Sequence, residues 1–487
     1  MAAFGDFQAK SQSFLAWFKS LPGATFHDDI EIVDLRGQNA GRGIKTHFFQ
    51  SSVVTKDIPA ETTLFTIPRK NIINVETSEL PKKIPQVFAA TAGDGEDEDM
   101  DMDVDSEPLD SWGSLILVMI YEFLQGASSP WKPYFEVLPE KFDTLMFWDP
   151  SELEHLKGSS VLSKIGKEEA DEMFRSRILS VVAANLTIFY PEGSSPLGED
   201  ELLQLAHRMG SIIMAYAFDL ENEEEPEQED DDEWVEDREG KTMLGMVPMA
   251  DILNADAEFN AHVNHGDDDL TVTALRPIRA GEEIFNYYGP HPNSELLRRY
   301  GYVTPKHSRY DVVEIPWDVV QASLTEQLNL SEDIWKKVEE QVDPEDLEDV
   351  FVLERDSGEP DSEGRLNTPA VVREISAELE EQLKAVLKAI KKANGDLIPD
   401  KRKRDEVYQA VVVKALQKIL GQYPTSIQED EALLASGNLA PRQKMAVEVR
   451  LGEKKLLREA LAFAASLGAP ATEEEPERSA KRTRTAA

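Results

Sequence analysis

Two acidic runs decide how this chain can be built. Residues 93–110 (GDGEDEDMDMDVDSEPLD) carry ten acids and no base, and residues 221–239 (ENEEEPEQEDDDEWVEDRE) carry thirteen acids and one Arg. Neither buries enough apolar surface to offset the entropy of ordering it, so both read as solvated, disordered loops. Any core must be assembled from the segments around them. Without the two runs the formal charge falls from −42 to −20, so the remaining body is acidic too. Such a surface repels phosphate and attracts cations. A basic protein is the expected partner, and direct nucleic-acid or membrane binding is not expected.

With 487 residues, two or three domains are expected, and 41% hydrophobic residues suffice for sizeable cores. The longest apolar stretch, 115–121, is too short to span a bilayer, and the first residues lack the pattern of a secretory signal. There is no cysteine, which excludes disulfides, thiolate metal sites and cysteine nucleophiles. The eight histidines show no metal-binding spacing, so no metal is expected.

Residues 14–21 (FLAWFKSL) read as a short helix stopped by Pro22-Gly23. Between 30 and 69 the pattern turns to short β-like runs separated by Gly, Asn and Pro. Helices are expected at 111–125, 167–184 and 201–218, the last on the three- and four-residue spacing of Leu202, Leu205, Met209, Ile212 and Ile213. Strands are expected at 269–275 and 284–288. Beyond Trp317 the chain turns helical, with one stripe from Ile375 to Ile390, another from Val407 to Leu420, and a third helix over 443–467 broken near Gly452.

Three short segments stand out. Gly41-Arg42-Gly43 is a Gly-x-Gly turn in β-like sequence, able to bring backbone close to a ligand, although an ordinary hairpin turn has the same pattern. Val247–Asp256 reads VPMADILNAD, and Ile284–Gly289 reads IFNYYG. In this order the three resemble the signature of SET-domain methyltransferases: GxG, then (A)DxLNH, then (N)xYG. The segments SIIMAYAF (211–218), HPNSELLRRYGYV (291–303) and PTSIQEDEALL (424–434) resemble the subclass that includes Rubisco large-subunit methyltransferase. The likeness runs from about residue 14 to 467, apart from the acidic runs.

The resemblance implies an α+β fold: a SET β-domain split by a helical insertion and closed by a pseudoknot, then an all-α substrate-binding domain. The boundaries expected are 14–92 and 241–310 for SET, 111–220 for the insertion, 93–110 and 221–240 for acidic loops, 311–468 for the helical domain and 469–487 for a disordered tail. It also implies S-adenosyl-L-methionine as cofactor and transfer of its methyl to a protein lysine. Tyr288 matches the catalytic tyrosine, whose hydroxyl orients amine and methyl. Tyr287 takes the variable position. Gly41, Arg42, Gly43, Asn254, Ala255 and Tyr288 match the cofactor-binding positions. Trp112 and Tyr216 match aromatics near the lysine channel, although both also fit helix cores. Asn260 reads as a brace for its loop. The chain departs at Ala255, where the family has a histidine on the adenine side of the pocket. The class's fungal ribosomal members share this Asn-Ala-Asp form, which implies as partner a basic ribosomal protein of the large subunit, met by a monomer.

The chemistry sets its own demands. A lysine amine near pKa 10.4 must lose its proton before it attacks a sulfonium methyl, and a dry channel favours the neutral form. Two other readings fit the residues: methylation of a histidine or of another basic protein, and a non-enzymatic acidic chaperone whose pocket decayed at Ala255. Lys481–Arg484 resembles a nuclear import signal, and a plain solubilising tail has the same composition; the nucleus is the expected location, with the cytoplasm a second.

Overall fold

The computed structural model describes residues 2–36, 41–46, 57–88, 109–220, 243–342 and 347–467. The acidic runs lie outside these residues except for Leu109 and Asp110, as do the basic tail and the β-like run at 51–55. Asp110 closes the first run by capping the helix Ser111–Leu124, its side chain accepting from the Gly113 amide.

The described residues divide into two compact units. The first takes 1–311, 357–370 and 430–452, and the second takes 312–356, 371–429 and 453–487. Two later segments thus cluster with the first unit rather than with the other residues after 311. The segment 357–370 joins the first unit because Gly364 shares its backbone with Phe259, whose amide donates to the Gly364 carbonyl at 3.0 Å. A Cβ on Gly364 would come within 2.3 Å of the Phe259 carbonyl oxygen, so only glycine allows this contact.

Two four-stranded sheets organise the first unit. One has the order β1 (Thr25–Phe26), β4 (Thr63–Pro68), β9 (Asp269–Ala274) and β8 (Ala261–His265), all antiparallel. The other has the order β2 (Ile30–Asp34), β3 (Arg42–Thr46), β10 (Glu283–Asn286) and β7 (Asn254–Ala255). Here β2, β3 and β10 are antiparallel neighbours and β7 joins β10 in parallel. A two-stranded ribbon of β5 (Ala217–Leu220) and β6 (Met243–Met246) flanks the second acidic run. Strand β9 alternates buried and half-buried residues, the pattern of a sheet with one face on the core.

The first helix spans Ala2–Ser20, starting well before the expected residue 14. It seats Phe14 and Phe18, both fully buried, in the main core. The helix Ser111–Leu124 buries nearly every side chain from Gly113 to Glu122. It packs with Glu199–Tyr216, the other long helix of the insertion. The expected helix over 167–184 is present but contains a π turn at Phe174–Leu179.

The second unit is helical around a two-stranded ribbon of β11 (Val313–Pro316) and β12 (Val350–Leu353). Helices Trp317–Leu328, Ala377–Ala393 and Lys401–Leu420 bury the stripes read from sequence, with Leu383, Leu387, Ile390, Val411 and Leu416 fully buried. The last helix runs unbroken from Pro441 to Leu467, which corrects the break expected at Gly452. Glycine is there for space: a Cβ would lie 2.0 Å from Asp311 Oδ2. Among the described residues no helix is long and apolar enough to cross a membrane.

Candidate active site

Pairing of β10 with both β3 and β7 brings the three sequence segments together. Glu283 and Ile284 lie opposite Lys45 and Ile44, while Phe285 and Asn286 lie opposite Asn254 and Ala255. Gly43 is buried at the centre of this junction. A Cβ there would sit 2.5 Å from Leu35 Cδ1 and 2.9 Å from both Asn254 Nδ2 and Glu283 Oε1. The second glycine of the motif thus lets Leu35, Asn254 and Glu283 pack against its backbone. By contrast a Cβ on Gly41 meets nothing within 4 Å, so there is open space beside that residue. Asn254 donates to Glu283 Oε1 at 2.7 Å, and Lys45 Nζ lies 3.7 Å from Glu283 Oε2. Ala255 is buried in β7. Asn260, fully buried, donates to the Glu283 carbonyl at 2.8 Å and accepts from the Phe285 amide at 2.9 Å. It braces β10, where the sequence suggested a brace for its own loop.

Arg42 is placed otherwise than a cofactor contact would require of its side chain. Its guanidinium donates to Ser11 Oγ and the Val137 carbonyl, each at 2.8 Å, and lies over the Phe7 ring. Burial lowers its pKa to about 10, which leaves it charged at neutral pH. The side chain pins the first helix, and only its backbone is left for a ligand.

Tyr288 follows β10. Its hydroxyl donates to the Leu253 carbonyl at 2.8 Å, and its ring stacks on Tyr300 at 5.0 Å between centroids. Tyr300 ends the helix Asn293–Tyr300, which Gly301 terminates in the left-handed region at φ +77°. Tyr216, the last residue of its helix, closes in from the insertion. Burial first, then the neighbouring Tyr302, Tyr216, Tyr300 and Asp251, push the Tyr288 phenol far above its ordinary value. Burial and Asp251 raise Tyr216 to about 12. Both stay protonated at any physiological pH. Tyr287 instead stacks on Phe259 at 4.6 Å, a packing role.

Trp112 does not join this cluster. Its ring stacks on Phe174 at 5.7 Å, and a Cβ on Gly210 would touch it at 3.1 Å. Gly210 lies six residues before Tyr216, roughly 9 Å along the same helix at 1.5 Å per residue. The structure places Trp112 in packing within the insertion.

Besides Tyr300 and Tyr302, two further residues of the cluster, Tyr134 and Asp251, were missed in the sequence. Tyr134, fully buried in the short helix Lys132–Phe135, donates to Asp251 Oδ2. Asp251 lies in the turn that leads to Asn254; its Oδ1 is buried with no well-directed hydrogen-bond partner among the described residues. Burial lifts its pKa to about 7. Just before it, the buried Met249 holds φ +87° and ψ −42°, a conformation that costs on the order of 1–3 kcal/mol for a non-glycine residue. The available signal was a lone ionisable residue inside the apolar run 246–253. Nothing comparable marks Tyr134.

Comparison with known proteins decides the family. The SET domain family matches residues 53–289, and the Rubisco LSMT substrate-binding family matches residues 322–457. This chain carries a SET domain followed by a Rubisco LSMT substrate-binding domain. Yeast ribosomal lysine N-methyltransferase 4 is 36% identical over 66% of this chain and 61% of its own length. The mouse N-lysine methyltransferase SETD6 is 28% identical over 88% of this chain and 85% of its own length. The solved SET domain of LSMT bound to lysine and AdoHcy superposes with a TM-score of 0.60 at 19% identity, covering 94% of this chain and 91% of that one.

The SET family's methyl donor is S-adenosylmethionine, and the junction of β3, β7 and β10 suits it. The Gly43 backbone, closed over by Leu35, Asn254 and Glu283, and the open space beside Gly41 form the candidate cradle. In this SET chain the cradle and the phenol cluster meet at one short segment, since Asn254 directly follows the Leu253 carbonyl that holds Tyr288.

Proposed function

We propose that this chain transfers a methyl group from S-adenosylmethionine to a lysine of a basic ribosomal protein of the large subunit. The observation that carries the chemistry is the Tyr288 hydroxyl, fixed on the Leu253 carbonyl one residue before Asn254. The bound donor supplies an electrophilic methyl on a sulfonium. The chain does the rest by placement. Gly41, Gly43, Asn254 and Ala255 hold the donor, with Arg42 contributing backbone. Tyr288 orients the amine, and the rings of Tyr216 and Tyr300 keep water from it. Poor hydration disfavours the ammonium form of the entering lysine and leaves the free amine that can attack. Holding amine and methyl in line supplies most of the acceleration.

The substrate class rests on two observations. The yeast relative, whose printed name makes it a ribosomal lysine methyltransferase, is 36% identical. The formal charge of −42 steers a basic partner toward this protein. The test is transfer of labelled methyl from S-adenosylmethionine into large-subunit ribosomal proteins, followed by mass spectrometry of the labelled band. Label on a lysine of one basic protein is expected. Label on histidine alone, or none in any ribosomal protein, overturns the assignment.

A further inference from the structure

We propose that Asp251 is a positioning residue for Tyr288, working in its uncharged form as the middle of a relay from Tyr134 to the Leu253 carbonyl. The inference rests on the reading of Tyr288 as the tyrosine that orients the amine.

The relay is read from its anchors. Tyr134 is fully buried in the main core, on a short helix remote in sequence from the turn. Its hydroxyl holds Asp251 Oδ2. Asp251 belongs to the single 3-10 turn Ala250–Ile252, whose hydrogen bonds run from the Ile252 amide to the Met249 carbonyl and from the Leu253 amide to the Ala250 carbonyl. The next carbonyl, that of Leu253, receives the Tyr288 hydroxyl. Met249 enters this turn in a strained conformation, which persists only where the surroundings over-determine it. The grip of Tyr134 on Asp251 is such a determinant, placed between the strained residue and the carbonyl that matters.

The uncharged form follows from what surrounds the carboxyl. Tyr134, Tyr216 and Tyr288 face it from three elements, and all are phenols. Among the described residues Oδ1 has no well-directed partner, and the Met249 and Asp251 amides lower the group less than burial raises it. Burial accordingly raises the group to about 7. A charge here would also oppose the reaction, because a nearby anion stabilises an entering lysine as ammonium, which has no lone pair to attack with. The sign of the stability effect follows. The folded pKa lies above the ordinary 3.8, so the stabilisation is full below about pH 4 and is lost as pH rises through about 7.

The experiment uses the full chain, labelled S-adenosylmethionine and large-subunit ribosomal proteins stripped of RNA. Four variants are compared: Tyr134→Phe, Asp251→Asn, Asp251→Ala and Tyr288→Phe. Asp251→Asn keeps the shape and the acceptor for Tyr134, and should retain kcat within about threefold while flattening the fall of Tm between pH 5 and 8. Tyr134→Phe removes one oxygen and should lower kcat by about tenfold, with KM for S-adenosylmethionine within about twofold of wild type. Asp251→Ala should lose at least as much as Tyr134→Phe. If Asp251→Asn is as inactive as Asp251→Ala, the charged form is the working one and the proposal fails. Wild-type kcat in Tyr134→Phe also overturns it. Tyr288→Phe separates the two levels: retained activity there refutes the reading of Tyr288, whereas loss there with a normal Tyr134→Phe refutes the relay alone.

Discussion

The two ends of the candidate site are built from opposite materials. At the strand junction, Gly43, Asn254, Glu283 and Lys45 form a polar, charge-paired set in which every group has a partner nearby. A few residues along the same segment, Tyr134, Tyr216 and Tyr288 bring aromatic surface and phenol hydroxyls to Asp251, with Tyr300 stacked on Tyr288, and burial raises each pKa given there. The first end offers fixed polar anchors for a zwitterionic, sulfonium-bearing molecule. The second offers a weakly hydrated wall against which an ammonium is disfavoured. Methyl transfer needs both: a donor held by its polar groups, and an acceptor stripped of its proton.

That contrast breaks most visibly at Tyr288. Replacing it with Phe keeps the ring that stacks on Tyr300 and deletes only the hydroxyl on Leu253. The expected result is a loss of roughly 10²-fold or more in kcat, the scale of one pre-organised donor, with donor affinity changed by less than about threefold. Labelled methyl transfer and calorimetry read the two quantities separately. A loss confined to donor affinity would place Tyr288 at the polar end and collapse the distinction.

Gly43→Ala probes that polar end. The new Cβ would press on Leu35 at 2.5 Å and on the Asn254 and Glu283 side chains at 2.9 Å. Overpacking of this kind costs about 1–3 kcal/mol. Part of it should appear as a displaced Asn254, and S-adenosylmethionine affinity should fall about tenfold or more by calorimetry. Gly41→Ala is the control, since its Cβ meets open space, and it should cost far less. Equal losses in the two variants would mean that the cradle does not depend on the Asn254 contact.

How far these ends were readable in the sequence follows the same divide. The polar end was legible because its residues sit in three short ordered segments, and strand pairing then had few ways to bring them together. The helical stripes of the second unit were legible because buried Leu, Ile and Val recur at helical spacing, as Leu379, Leu383, Val386 and Ile390 do. The phenol end was half hidden. Tyr134 is separated from Asp251 by 117 positions, and no spacing rule links a tyrosine after Lys-Pro to an acid in a distant turn. The place of the Arg42 side chain was hidden for a related reason. Its position in the motif is local, but its guanidinium goes to Ser11 and Val137, which only the folded chain brings near. Gly452 shows the same limit: in sequence it reads as a helix breaker, while in the fold it makes room for Asp311.

The smallest effect is the one that sharpens where the aromatic wall stops. Tyr216 and Trp112 both belong to the insertion, but Tyr216 stands at its helix end beside Asp251, whereas Trp112 is wedged against Phe174 and Gly210. Trp112→Phe would shrink a stacked ring without touching the phenol cluster. It should therefore change kcat by less than about threefold while lowering stability by about 1 kcal/mol, through lost packing area and a small void. Tyr216→Phe should do the reverse: it keeps the ring volume, leaves Tm nearly unchanged and removes a hydroxyl from the surroundings of Asp251. Thermal melts and labelled methyl transfer on both variants decide between the positions. If Trp112→Phe lowers kcat more than Tyr216→Phe does, the wall extends into the insertion and Trp112 lines the lysine path after all.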